Sequence, residues 1–129
     1  MFALDTNTLI FFFKGTGRVK DHLLRVPPSE IAIPSVVLYE LEVGISQLSQ
    51  SKRRTQLDAL LSIVTVLPLD VSAAKRSAEV SSALGRAGTP IGPLDTLIAG
   101  TAIANGATLV THNLGEFRRV RGLSLVDWF

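Results

Sequence analysis

Short apolar runs alternate along this chain with longer segments of helical period, and no other feature constrains the fold as tightly. The runs Phe2 to Leu4, Ile31 to Ile33, Val64 to Leu67, Thr108 to Val110 and Leu123 to Val126 read as buried strands. Helices are expected between them. The first follows Asp5 at once, with Thr6 and Asn7 as capping candidates, and ends near Gly15. A second spans Arg18 to Arg25 and stops before Pro27 and Pro28. A third begins at Pro34, a residue favoured at helix starts, and runs to Gln47. Two more cover Lys52 to Ile63 and Val71 to Arg86, the latter closing at Gly88. The last runs from Leu94 to Ala104 and ends at Asn105 and Gly106. This order predicts an α/β protein: a three-layer sandwich whose central, mostly parallel five-stranded sheet has helices on both faces. With no repeat, linker or low-complexity tract, residues 1–129 read as one domain.

Cysteine is absent, which removes disulfides, thiolate zinc sites and a cysteine nucleophile together. His22 and His112 are the two histidines, too few for a His-rich zinc site. A bound metal would be held mostly by oxygen, which suits Mg²⁺ or Mn²⁺. Asp5 and Asn7 interrupt the apolar start of the chain, and the run from Leu9 to Phe13 falls far short of the roughly 20 residues of a membrane span. No membrane association is expected, and the cytoplasm is the expected location. The formal net charge is +2. If several acids converge in one pocket, the remaining surface is markedly basic, as expected where a polyanion is held around an acidic hole.

Asp5 lies where the first strand meets a helix, at the carboxyl edge of the sheet where α/β proteins place ligands. Taken alone, it reads first as a helix cap. Glu40 sits on a helix, Pro34 to Ile45, that is apolar nearly all round and is expected to be largely buried. An ionised Glu there needs a metal or a basic partner. Glu42 points to another side and reads as a solvated or interface charge. Asp95 opens an apolar helix after turn residues, so capping alone would explain it, but a shared metal would explain Asp5, Glu40 and Asp95 together. In the segment Leu109 to Phe117, a strand running into a polar turn, Thr111, Asn113 and Glu116 are the polar candidates. Glu116 reads as a direct ligand, a ligand through water, or a surface residue. His112 has no orienting carboxylate at a readable spacing and reads as a surface or substrate-contact residue. Phe11 to Phe13 read as core with one ring left over for an interface, and Trp128 as packing for the end of the chain.

The segments LDTN (Leu4 to Asn7), E-L-x-x-G (Glu40 to Gly44), P-x-D-x-x-I-A (Pro93 to Ala99) and T-x-N-x-x-E-F (Thr111 to Phe117) resemble, in order and spacing, the PIN domain, and more narrowly the VapC-type toxins of bacterial toxin-antitoxin pairs. The resemblance covers essentially the whole chain. It implies a PIN-like sheet between helices, with Asp5, Glu40 and Asp95 as acidic ligands of one or two Mg²⁺ or Mn²⁺ ions. Glu116 falls on a more variable fourth acidic position. Asn113 stands where many relatives carry Asp, so one carboxylate of the pattern is absent. Thr6, Asn7 and Thr111 match polar positions that support the ligands or the attacking water. The resemblance also implies a homodimer, inhibition by a cognate antitoxin protein, and RNA, including structured RNA such as transfer RNA, as substrate.

The expected function is therefore that of an endoribonuclease toxin hydrolysing RNA phosphodiester bonds with metal-activated water. Two alternatives remain. A receiver-like Mg²⁺ signalling domain would need adjacent acids after the first strand and a phosphoacceptor Asp near mid-chain, whereas Thr6 and Asn7 follow a lone Asp5. A non-catalytic RNA- or protein-binding module on the same fold would not need the acids to be intact.

Overall fold

The computed structural model describes residues 1–48 and 52–129. Five strands, β1 (Phe2–Leu4), β2 (Ile31–Pro34), β3 (Thr65–Leu67), β4 (Thr108–Val110) and β5 (Ser124–Val126), form one sheet in the order β3-β2-β1-β4-β5. Every pair is parallel. The helices are α1 (Thr6–Lys14), α2 (Val19–Leu24), α3 (Ser35–Ser46), α4 (Lys52–Leu61), α5 (Val71–Arg86), α6 (Pro93–Ala104) and α7 (Leu114–Phe117). The α/β class, the parallel sheet and the order of elements agree with the sequence reading. The single turn α7 replaces what reads as an irregular polar turn, and a 3-10 turn at Pro28–Glu30 precedes β2.

Strand order decides where a site can form. From β1 the chain moves outward through β2 to β3, then crosses back to place β4 on the other side of β1. With right-handed crossovers, that reversal opens a crevice at the carboxyl ends of β1 and β4. Strands this short are held by what packs on them: Leu4, Ile31, Ile33, Leu109 and Val110 are almost fully buried. Each such side chain contributes roughly 1.5–3 kcal/mol relative to exposure.

The helix ends follow local chemistry. Asp5, in extended conformation, accepts the Thr8 N–H at 2.9 Å and caps α1. Asp5 thus caps α1, whereas Thr6 and Asn7 lie inside its first turn. Gly15, at φ 69°, ends it in the left-handed region that a side chain disfavours. The small residues Ala99, Gly100 and Ala102 let α6 approach α5 closely: a Cβ on Gly100 would lie 2.0 Å from Ser77 Oγ and 2.5 Å from its backbone nitrogen. That packing fixes the position of α6, which carries Asp95. Trp128 is buried against Phe2, with ring centroids 5.1 Å apart, and closes the β5 end of the core.

One expectation needs correction. On α3, apolar nearly all round in sequence, Tyr39 is 59% and Val43 41% exposed. Val36, Val37 and Leu41 bury one face, and the described residues leave the opposite face uncovered. No helix among the described residues is long and apolar enough to cross a membrane.

Candidate active site

Register brings the first three polar groups together. Leu4 pairs with Val110, and Val110 with Val126. Asp5, Thr111 and Asp127 therefore leave three neighbouring strands at one level, where parallel register directs side chains to the same side. The backbone confirms the level: Asp5 N–H donates to Val110 O at 3.2 Å and Thr111 N–H to Val126 O at 3.0 Å.

Asp5 is 5% exposed. Burial pushes its carboxyl above the usual range, hydrogen bonds from Thr111 and Thr8 pull it back, and the charge of Asp127 pushes it up again. The Thr111 hydroxyl accepts the Asn113 N–H at 3.0 Å, which leaves its single proton for Asp5. Capping and membership of an acidic site are thus compatible roles for Asp5.

Glu40 reaches the same place from α3. It is partly buried, and the Thr6 hydroxyl donates to its Oε1 at 2.7 Å. Thr6 follows Asp5 directly, so this bond ties α3 to the start of α1. No salt bridge among the described residues involves Glu40, so a basic partner does not account for it.

Asp95 settles its own ambiguity. The N-cap of α6 is Gly92, with no side-chain cap bond, so Asp95 is not there as a cap. Its pKa is pushed up to about 6, first by burial, then by the negative charges of Glu116, Glu40 and Asp5, and by a hydrogen bond with Glu116. Charges that act on Asp95 in this way stand near it, so Glu116, Glu40 and Asp5 all face the Asp95 carboxyl. Glu116 comes from α7, where the Asn113 amide donates to its Oε2 at 3.1 Å. Asn113 therefore orients the fourth acid.

Among the described residues, no three His, Asp or Glu side chains are placed so that they could hold a metal ion. Like charges brought near one another raise each other's pKa unless a cation or a proton stands between them. The interaction of Asp95 with Glu116 raises the Asp95 pKa in this way. The donor set is all oxygen, and among the described residues no Arg or Lys forms a salt bridge with it, which fits a hard divalent cation.

Other sequence-predicted residues lie outside the cluster. Asn7 is exposed on the first turn of α1. Glu42 is clasped by both terminal nitrogens of Arg54, joining α3 to α4, and this pairing lowers its pKa. His112 is exposed, as its sequence reading has it, but it does have an orienting carboxylate: the Oδ2 of Asp127, the residue after β5, lies 2.9 Å from its Nδ1. Asp127 escaped the sequence reading altogether. Its position one residue past the last strand, level with Asp5, is the signal that would have found it.

A model of the PIN domain family matches residues 2–123. The chain is 36% identical over 128 residues to the tRNA(fMet)-specific endonuclease VapC of Salmonella typhimurium, covering 98% of this chain and 97% of that protein. It is 36% identical over 132 residues to Ribonuclease VapC2 of Rickettsia felis, covering 99% and 98%. The crystal structure of VapBC2 from Rickettsia felis, bound to a DNA fragment from its promoter, superposes with a TM-score of 0.91 at 32% identity, covering 99% of this chain and 98% of that one.

Proposed function

The chain belongs to the PIN domain family, and on that premise we propose that it is a divalent-metal-dependent endoribonuclease, the toxin of a toxin-antitoxin pair. Asp5, Glu40 and Asp95 are the metal-holding carboxylates, and Glu116 completes the acidic cluster. The observation that carries this assignment is that the charges of Glu116, Glu40 and Asp5, from three other segments, all act on Asp95. Mg²⁺ is the first candidate for an all-oxygen site and Mn²⁺ the second.

A divalent ion bound there would supply a nucleophile from water at neutral pH and neutralise charge on the transferring phosphoryl group. The chain's own residues prepare the place. Thr6 holds Glu40, Asn113 holds Glu116, and Thr111 donates to Asp5, so three of the four carboxylates keep their direction against the repulsion of the others. The N-termini of α1 and α6 face this region and offset part of its negative charge. RNA is the substrate, and transfer RNA the first class to test, given the name of the Salmonella relative. The partner is an antitoxin protein; an Arg fork pairing with the carboxylates is one means of inhibition the pocket offers. One nuclease domain, a homodimer and a cytoplasmic location belong to the same proposal. Exposed Tyr39 and Val43 on α3 and Val66 and Leu69 at the β3 edge support the dimer.

The test is incubation of a tRNA(fMet) transcript with the wild-type protein in Mg²⁺, in Mn²⁺ and in EDTA, followed by mapping of the ends. Discrete fragments with 5′-phosphate and 3′-hydroxyl ends are expected, formed only with metal. Cleavage that persists in EDTA, or 2′,3′-cyclic phosphate ends, would overturn the reading.

A further inference from the structure

His112 and Asp127 stand beside the carboxylate cluster without belonging to it. Asp127 Oδ2 lies 2.9 Å from His112 Nδ1, and its Oδ1 accepts the Phe129 N–H at 2.9 Å. The second bond folds Phe129 back so that its ring stacks on the imidazole, with centroids 4.2 Å apart and planes 23° from parallel. Phe11, from α1, meets Phe129 edge-on at 4.9 Å and His112 at 6.0 Å. The group is fastened down: Arg18 N–H donates to Phe129 O at 2.7 Å, and Gly17 packs so close that a Cβ would lie 2.8 Å from that oxygen. Yet the imidazole side chain is 49% exposed and Phe129 38% exposed.

A rigid aromatic cluster that stays in solvent is suited to a flat π-faced ligand. It is less suited to phosphate. With Asp127 ionised, the His112–Asp127 pair carries a net negative charge when the imidazole is neutral and no net charge when it is protonated. Asp127, by accepting from Nδ1–H of the neutral ring, fixes the plane of the imidazole. Position supplies the rest: His112 directly follows Thr111, which donates to Asp5. The charge of Asp127, which holds the imidazole, also acts on Asp5, so the ring platform adjoins the proposed carboxylate cluster.

We propose that His112, aimed by Asp127 and backed by Phe129, stacks on an unpaired nucleobase of the RNA beside the phosphate to be cut, and so selects which phosphate enters the carboxylate cluster. His112 is here a substrate-positioning residue, and the inference rests on the nuclease reading above.

Two measurements test it on the full chain. In steady-state cleavage of the tRNA(fMet) transcript, His112→Ala raises KM by roughly 10- to 100-fold, the effect of losing one stacked base, and leaves kcat within about 3-fold. His112→Phe, which keeps the ring, stays within about 3-fold of wild type in both. In EDTA, short oligoribonucleotides carrying 2-aminopurine lose fluorescence on binding the wild type and His112→Phe but keep it with His112→Ala. Unchanged KM and quenching in His112→Ala, a loss confined to kcat, or a Phe variant as poor as Ala would overturn the proposal. A wild type that fails to cut RNA but shows His112-dependent quenching would uphold the base contact and sink the nuclease reading instead.

Discussion

Asp5→Asn is expected to lower RNA cleavage by more than roughly 100-fold, beyond what loss of a supporting partner at a metal site costs, while the protein melts at or above the wild-type temperature. The two halves of the expectation have separate causes. Asn is as good an N-cap as Asp and can still accept the Thr8 N–H, so α1 keeps its start. What disappears is a buried negative charge whose carboxyl burial has already pushed upward. Asp5→Ala would confuse the result by also removing the cap, at a cost of about 1 kcal/mol. Asp95→Asn, which caps nothing, should lose cleavage equally. Single-turnover cleavage together with a thermal melt reads both halves. An Asp5→Asn protein that cuts normally ends the carboxylate assignment; one that does not fold leaves Asp95→Asn as the decisive variant.

Divalent metal should raise the melting temperature of the wild type by several degrees at neutral pH, and the rise should be largely absent in Asp95→Asn. An ion present at about 100 times its dissociation constant adds roughly 2.7 kcal/mol, on the order of 10 °C for a domain of this size. The metal-free protein carries a matching pH signature. The folded-state pKa of Asp95, about 6, lies above its ordinary 3.8. The stability linked to its proton is full below about pH 4 and lost as the pH rises through about 6. Metal-free Asp95→Asn, uncharged throughout, should therefore gain on the wild type between those values and keep the gain above them. Melts with and without Mn²⁺ across this range decide the matter: equal metal shifts in both proteins would place the ion elsewhere.

Much of this arrangement was legible because strands and helices announce themselves locally. Asp5 and Asp95 lie at strand-to-helix and turn-to-helix boundaries that composition alone marks, and Glu40 is a charge on a helix otherwise built for the interior. What escaped was non-local. Asp127 becomes a neighbour of Asp5 only through the β4–β5 register, which no short segment encodes, and the partner of His112 was missed for the same reason. Which acid caps a helix also resisted reading: Asp5 and Asp95 look alike in sequence, yet one caps and the other does not, because Gly92 starts α6 three residues before Asp95. The exposed side of α3 shows a further limit, since an apolar pattern records that a face is to be covered without recording whether this chain or another covers it.

The account stands on Asp5, Glu40, Asp95 and Glu116 enclosing one place where a hard cation sits. Anomalous scattering from crystals grown with Mn²⁺ locates that cation directly. The prediction is a peak bounded by the carboxylates of Asp5, Glu40 and Asp95, absent from crystals of Asp95→Asn grown the same way. A peak away from these residues, or one that survives the substitution unchanged, would contradict it.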